Sequence, residues 1–72
     1  MPVLTAEERF MATRLHDATA PVMTASPACA AALKSLAVMG LARVEDGVGM
    51  AQGLTFGLPT PELGLRYYEL TS

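Results

Sequence analysis

Tryptophan and isoleucine are absent from this 72-residue chain, and two Phe and two Tyr are its only aromatic residues. Alanine supplies much of the 51% hydrophobic fraction, and each buried alanine removes little apolar area from water. A chain of this length forms one domain with a thin core, and such domains are often stabilised in addition by a disulfide, a metal or a second subunit.

Cysteine is almost absent as well, since Cys29 is the only one, so an internal disulfide is excluded. The chain has no close-spaced pair of metal ligands, and a metal site would have to combine Cys29, His16 and carboxylates. We expect no cofactor and no metal. Self-association or a partner protein remains as the source of additional stabilisation, so we expect a homodimer or a hetero-complex.

Basic residues are few: five Lys and Arg stand against seven Asp and Glu, for a net charge of −2. This balance disfavours a general polyanion binder, because nucleic-acid affinity comes largely from basic side chains. Residues 28–42 are mostly apolar but fall short of the ~20 residues that a membrane span needs. Glu7 and Glu8 stand where a signal peptide carries positive charge. We therefore expect no membrane association and a cytoplasmic location.

Two helix start signals are present. Thr5-Ala6-Glu7-Glu8 has the form of a capping box and predicts a helix over residues 6–18, which Ala20-Pro21 terminates. Ser26-Pro27 places an N-cap serine before a proline at the first helical position and predicts a second helix over residues 27–39. Gly40 supplies the left-handed position after it, and Leu41 the hydrophobic contact of a Schellman motif.

Beyond Gly40 the apolar period changes from 3.6 to 2, which predicts a strand over residues 41–46. The β-favouring pair Tyr67 and Tyr68 predicts its partner strand over residues 65–70. The intervening loop, 47–64, is long enough to hold a short strand at 54–56 and one helical turn at 60–63. A further short element within 21–25 stays open. The predicted fold class is α+β, a small winged-helix-like domain of two or three helices followed by a β-hairpin with a long wing loop.

The run Leu33-Lys34-Ser35-Leu36-Ala37-Val38-Met39-Gly40-Leu41-Ala42-Arg43-Val44, with the later Tyr68-Glu69-Leu70-Thr71, resembles a known pattern. It is similar to the recognition helix and wing of bacterial winged-helix transcription regulators of the multiple-antibiotic-resistance and phenolic-acid regulator families. The resemblance covers residues 26–71. It implies a dimeric transcription regulator that binds double-stranded DNA, with contacts from Lys34, Ser35, Arg43 and Arg66.

A second hypothesis follows from apolar residues outside the expected core. Met50, Leu54, Phe56 and Leu58 form an apolar series in the predicted loop, and Ala31 and Val38 lie on the outer face of the second helix. An exposed apolar patch of this kind marks a protein contact. These six residues therefore predict docking on a larger protein, as an adaptor or inhibitor of the type made by phages and mobile elements. The alternative is that the loop covers the hairpin and completes the core.

No catalytic constellation stands out, and we expect no enzyme. His16 beside Asp17 suggests an acid–base pair, but adjacent helical residues do not face each other, so we expect a surface histidine. Gly47-Val48-Gly49 suggests a phosphate loop, yet no predicted helix follows it to supply N–H donors.

Overall fold

The computed structural model describes residues 4–47, 49 and 52–71 of the chain. They form a small α+β structure of three helices and a three-stranded antiparallel sheet. In chain order the elements are α1 (Ala6–Asp17), β1 (Val22–Thr24), α2 (Pro27–Val38), β2 (Ala42–Asp46), β3 (Thr55–Pro59) and α3 (Pro61–Thr71). The strand order in the sheet is β1-β3-β2.

The capping box predicted at the start of α1 is confirmed. The Thr5 N–H donates to Glu8 Oε1 at 2.8 Å, and the Glu8 N–H donates to Thr5 Oγ1 at 3.2 Å. Two of the backbone donors that a helix start leaves unpaired are thereby satisfied. The helix ends one residue earlier than predicted, because Ala18 already has extended backbone angles.

Both predicted ends of α2 are confirmed. The Cys29 N–H donates to the Ser26 hydroxyl at 3.4 Å, with Pro27 at the first position. At the other end Gly40 has φ +78°, and its N–H donates to the Ala37 carbonyl at 3.0 Å. The Leu41 N–H donates to the Leu36 carbonyl at 2.9 Å, which completes a Schellman motif.

The first strand of the hairpin, β2, lies where it was predicted, but the second strand is residues 55–59 and not the predicted 65–70. β2 pairs with β3, with Val44 opposite Gly57, and the Gly47 N–H donates to the Leu54 carbonyl at 2.7 Å to close the turn. Residues 65–70 lie in α3 instead of a strand. The short strand expected at 54–56 is confirmed as β3, which is the actual partner of β2, and the helical turn expected at 60–63 is the start of α3. The loop between the paired strands is accordingly shorter than the predicted 47–64.

The reason that α3 is a helix lies in its start signal and its apolar spacing. The Leu63 N–H donates to the Thr60 hydroxyl at 3.4 Å, and Pro61 occupies the first helical position. Leu63 and Leu70 are buried, and Tyr67 between them packs against the core. This 4-then-3 spacing suits one face of a helix, and the burial that it provides outweighs the β preference of adjacent tyrosines.

The short element left open within residues 21–25 is β1, which pairs with β3. The core lies between the three helices and one face of the sheet. Its buried hydrophobic residues are Leu4, Met11, Ala12, Leu15, Val22, Ala32, Leu33, Leu36, Leu41, Ala42, Leu63 and Leu70. A Cβ added at Gly57 would lie 2.9 Å from Leu33 Cδ2 and 3.4 Å from Leu15 Cδ2. Glycine at this position therefore lets both helices press directly on the middle of β3.

Candidate protein-binding face

The two faces of the sheet differ in what covers them. Alternate residues along a strand point to opposite faces, and Val22, Ala42, Thr55 and Gly57 are buried on the face toward the helices. On the opposite face, which we call the outer face, Met23 is 56% exposed and Leu58 is 44% exposed. The outer face is therefore open to solvent although part of it is apolar.

Strand register arranges the outer face as two rows. In one row Phe56 lies between Met23 of β1 and Glu45 of β2, its cross-strand partners. In the other row Leu58 lies opposite Arg43 of β2. The apolar side chains thus occupy β1 and β3, while the charged side chains occupy the β2 edge of the sheet.

A groove of about 380 Å³ runs across this face, lined by Pro21, Arg43, Glu45, Phe56 and Leu58. Pro21 directly precedes β1 and lies at the apolar side of the row that contains Leu58. A second hollow of about 360 Å³ shares Pro21, Arg43 and Leu58 and extends the groove toward the segment after α1. The outer face therefore carries a shallow groove that can receive side chains from another molecule.

The two charged side chains that line the groove, Arg43 and Glu45, are exposed and not paired with each other. Arg43 and Glu45 are both exposed, and neither forms an ion pair or a side-chain hydrogen bond with any residue that the structure describes. Lys34 and Arg66, by contrast, each lie beside a carboxylate. Among the residues that the structure describes, the outer face therefore offers one unpaired cation and one unpaired anion, two residues apart on β2.

The four residues that the family resemblance implied for DNA contact do not come together. Lys34 and Ser35 lie on α2, which packs on the helix side of the sheet, whereas Arg43 lies on the outer face. Arg66, expected on the wing, lies on α3 because residues 65–70 are helical, and its Nε is 3.8 Å from Glu62 Oε1. The four residues thus lie on three elements, α2, β2 and α3, and their role in DNA contact stays a prediction.

Lys34 takes part in a small polar cluster at the end of β2. Its Nζ lies 3.4 Å from Asp46 Oδ1, and the Thr55 hydroxyl donates to the same oxygen at 3.2 Å. Thr55 is buried, so this bond satisfies a hydroxyl that water cannot reach freely. Ser35 is half-buried and lines a shallow hollow between α2 and the start of α1.

The residues predicted to bind a partner protein divide between two surfaces. Phe56 and Leu58 belong to the outer face, and Leu54 precedes β3 and is half-buried. Ala31 and Val38 are exposed on α2, on the other side of the sheet. Met50 lies outside the described residues. Phe56 and Leu58 are strand residues and not part of a loop that folds back over the hairpin.

Sequence reasoning missed Met23 and Pro21 as members of this face. The signal available for Met23 was its place between Val22 and Thr24, two β-branched residues that favour a strand. What no sequence pattern indicated was that this strand pairs with β3 and brings Met23 beside Phe56.

The His16 and Asp17 side chains do meet, contrary to the prediction. His16 Nδ1 lies 3.1 Å from Asp17 Oδ1 at the last two positions of α1. The His16 ring also stacks on Tyr67, with ring centroids 3.8 Å apart and 8° between the planes. Tyr67 donates to Thr13 Oγ1 at 3.2 Å, so this cluster joins α1 to α3.

Within the described ranges, no helix is long and apolar enough to cross a membrane, and no three His, Cys, Asp or Glu side chains are grouped as metal ligands would be. Comparison of the chain with protein-family models, with curated proteins and with solved structures gives no match. Any function must therefore be proposed from the geometry of the outer face and of α2.

Proposed function

We propose that this chain is a non-catalytic protein-binding module that docks another polypeptide on the outer face of its sheet. The observation that carries the proposal is the contiguous set of Met23, Phe56 and Leu58 on β1 and β3, of which Met23 and Leu58 are exposed and Phe56 is half-buried. Contiguous exposed apolar side chains mark interaction surfaces more often than scattered ones do.

The composition of the chain strengthens this proposal. Large aromatic residues are scarce here, with two Phe, two Tyr and no Trp in 72 residues, and the core is built mainly from leucine and alanine. Met23 and Leu58 nevertheless remain about half exposed. Full burial of one such side chain contributes roughly 1.5–3 kcal/mol. A partner that covers Met23 and Leu58 would therefore gain part of this free energy on binding.

The polar groups around the groove fit the same proposal. Protein interfaces combine an apolar centre with a polar rim that fixes orientation. Here Phe56 and Leu58 line the groove, while Arg43 and Glu45 line it from β2 and have no ion-pair partner within the described part of the chain. A docked chain would meet apolar surface first and two charges of opposite sign at the β2 edge.

Site-specific photo-crosslinking tests the proposal. A photoreactive amino acid placed at Leu58 should yield a covalent adduct in a lysate of cells that make the protein. The same group at Leu65, which is 82% exposed on α3, serves as the matched control and should yield little. The Leu58 adduct should also weaken when Arg43 is changed to Glu and persist when the exposed Arg9 is changed to Glu.

Equal labelling from Leu58 and Leu65, or an adduct that ignores Arg43→Glu, would contradict docking on the outer face. A third reporter at Val38, which is 88% exposed on α2, examines the other predicted surface. Strong labelling from Val38 with none from Leu58 would place the binding site on the exposed side of α2 and not on the sheet.

DNA binding is the second proposed function, and it is supported by the arrangement of α2. This helix leads through Gly40 directly into the β2–β3 hairpin, as a recognition helix leads into a wing. Labelled duplex DNA should then bind with a steep salt dependence that Lys34→Ala reduces, with Arg9→Ala as the control. Absence of binding at low salt would exclude this function.

A further inference from the structure

The outer face defines the partner that it fits. A complementary surface must be apolar opposite Met23, Phe56 and Leu58, and it must place an acidic group near Arg43 and a basic group near Glu45. The two charges of the partner must also be spaced like Arg43 and Glu45, which are two residues apart on β2. Few surfaces combine these properties, and the outer face itself is one of them.

We propose that the occupant of the outer face is a second copy of this chain, packed face to face about a two-fold axis that runs across the strands between the two rows. This rests on the function proposed above. The axis brings Arg43 of each copy opposite Glu45 of the other and Leu58 opposite Phe56. Residue pairs that exchange in this way are the requirement of an isologous interface.

The charge of the face is compatible with such packing. Arg43 and Glu45 sum to zero, so two copies approach without the like-charge repulsion that penalises wrong partners. Packed sheets lie about 10 Å apart, and the long side chains of Arg43 and Glu45 can meet across that gap. Apolar contact between β1 and β3 of the two copies covers Met23 and Leu58, which stay in water in a single chain.

A different two-fold arrangement would pair the free β2 edges into one continuous sheet. Antiparallel pairing centred on Val44 would also set Arg43 opposite Glu45 of the other copy. That arrangement leaves Met23 and Leu58 in water, whereas the face-to-face arrangement covers them. Leu58→Asp separates the two, since it places a charge in the centre of one interface and outside the other.

Charge exchange in the purified full-length chain tests the proposal, with mass in solution measured by sedimentation equilibrium over a wide concentration range. The parent chain should be a dimer at high concentration. Arg43→Glu gives each face two acidic groups and Glu45→Arg gives each two basic groups, so each variant alone should dimerise about tenfold more weakly or worse. The double variant R43E/E45R restores the complementary pairs and should dimerise like the parent chain.

The decisive measurement mixes the two single variants. An acidic face then meets a basic one, so the mixture should form a heterodimer that neither variant forms with itself. Arg9→Glu, an equal change of charge on α1, is the control and should leave the dimer intact. Leu58→Asp should give a monomer that keeps the far-ultraviolet circular dichroism of the parent chain.

Three results would overturn the proposal: a parent chain that stays monomeric, a double variant no better than the singles, or a Leu58→Asp variant that still dimerises. Failure here and failure of protein binding itself remain distinguishable. A monomeric parent chain that still gives the Leu58 photo-adduct, at a mass unlike twice its own, retains the proposed function with a foreign partner. A monomeric chain without that adduct loses both.

Discussion

The Thr60 hydroxyl donates to the carbonyl oxygen of Gly40 at 2.7 Å, across twenty residues of sequence. The same hydroxyl accepts the Leu63 N–H at 3.4 Å as the cap of α3. One side chain thus binds the end of α2 to the start of α3, and the Thr60 N–H adds a bond to the Leu41 carbonyl at 3.3 Å.

Replacing Thr60 with valine keeps the shape of the side chain and removes both hydroxyl bonds. We expect a loss of about 1–2 kcal/mol in the free energy of unfolding, the usual cost of a lost helix cap. Urea titration followed by circular dichroism measures it. Thr60→Ser keeps the hydroxyl and should lose much less. A valine variant as stable as the parent chain, or a serine variant that loses more than valine, would contradict the role given to the hydroxyl.

Gly40 has φ +78° and no heavy atom within 4 Å of the place where a Cβ would stand. Backbone strain is therefore the whole cost of a side chain here, and Gly40→Ala should destabilise the fold by about 1 kcal/mol. Gly40→Asn should cost less, because asparagine tolerates left-handed angles better. An alanine variant as stable as the parent chain in thermal melts would contradict this account of the α2 end.

Gly57 and Gly64 should respond to alanine in opposite directions. At Gly57 the new Cβ meets Leu33 Cδ2 at 2.9 Å inside the core, and overpacking of this kind costs about 1–3 kcal/mol. At Gly64, exposed on α3 with nothing within 4 Å, alanine should stabilise by roughly 0.5–1 kcal/mol. Parallel urea titrations compare the two, and a change of the same sign in both would refute the packing explanation.

Tyr67 joins α3 to α1 through its ring and its hydroxyl, so two substitutions separate the contributions. Tyr67→Phe keeps the stacking on His16 but removes the bond to Thr13, and should cost about 0.5–1.5 kcal/mol. Tyr67→Ala removes both and should cost at least twice as much. Leu65 is 82% exposed on the same helix, and Leu65→Ala provides the control, with an expected change within about 0.5 kcal/mol. A Leu65→Ala effect as large as that of Tyr67→Ala would contradict this assignment.

The helix starts and the Gly40 turn could be predicted because each depends on residues close in sequence. Ser26-Pro27 and Thr60-Pro61 carry the same start signal, and both open helices. The β preference of Tyr67 and Tyr68 predicts a strand where the spacing of Leu63, Tyr67 and Leu70 predicts a helix. The helix forms because that spacing buries Leu63 and Leu70, so the local start signal and the apolar spacing together are sufficient for α3.

The strand β3 is a different case, since Gly57 and Pro59 are residues that strands usually avoid. Gly57 belongs there because Leu15 and Leu33 occupy the space of its missing side chain, and Pro59 stands at the strand end. Both reasons are tertiary. The outer face depends on them, because Met23 and Phe56 become neighbours only when β1 and β3 pair.

Gly57 also gives the molecule a built-in spectroscopic reporter. No side chain separates the backbone of β3 from the methyl groups of Leu15 and Leu33, while Phe56 and Leu58 on either side of Gly57 face the groove. Only the backbone of β3 therefore separates a molecule bound on the outer face from these leucine methyl groups. Occupancy should therefore be readable from the resonances of two buried leucines that the bound molecule never touches.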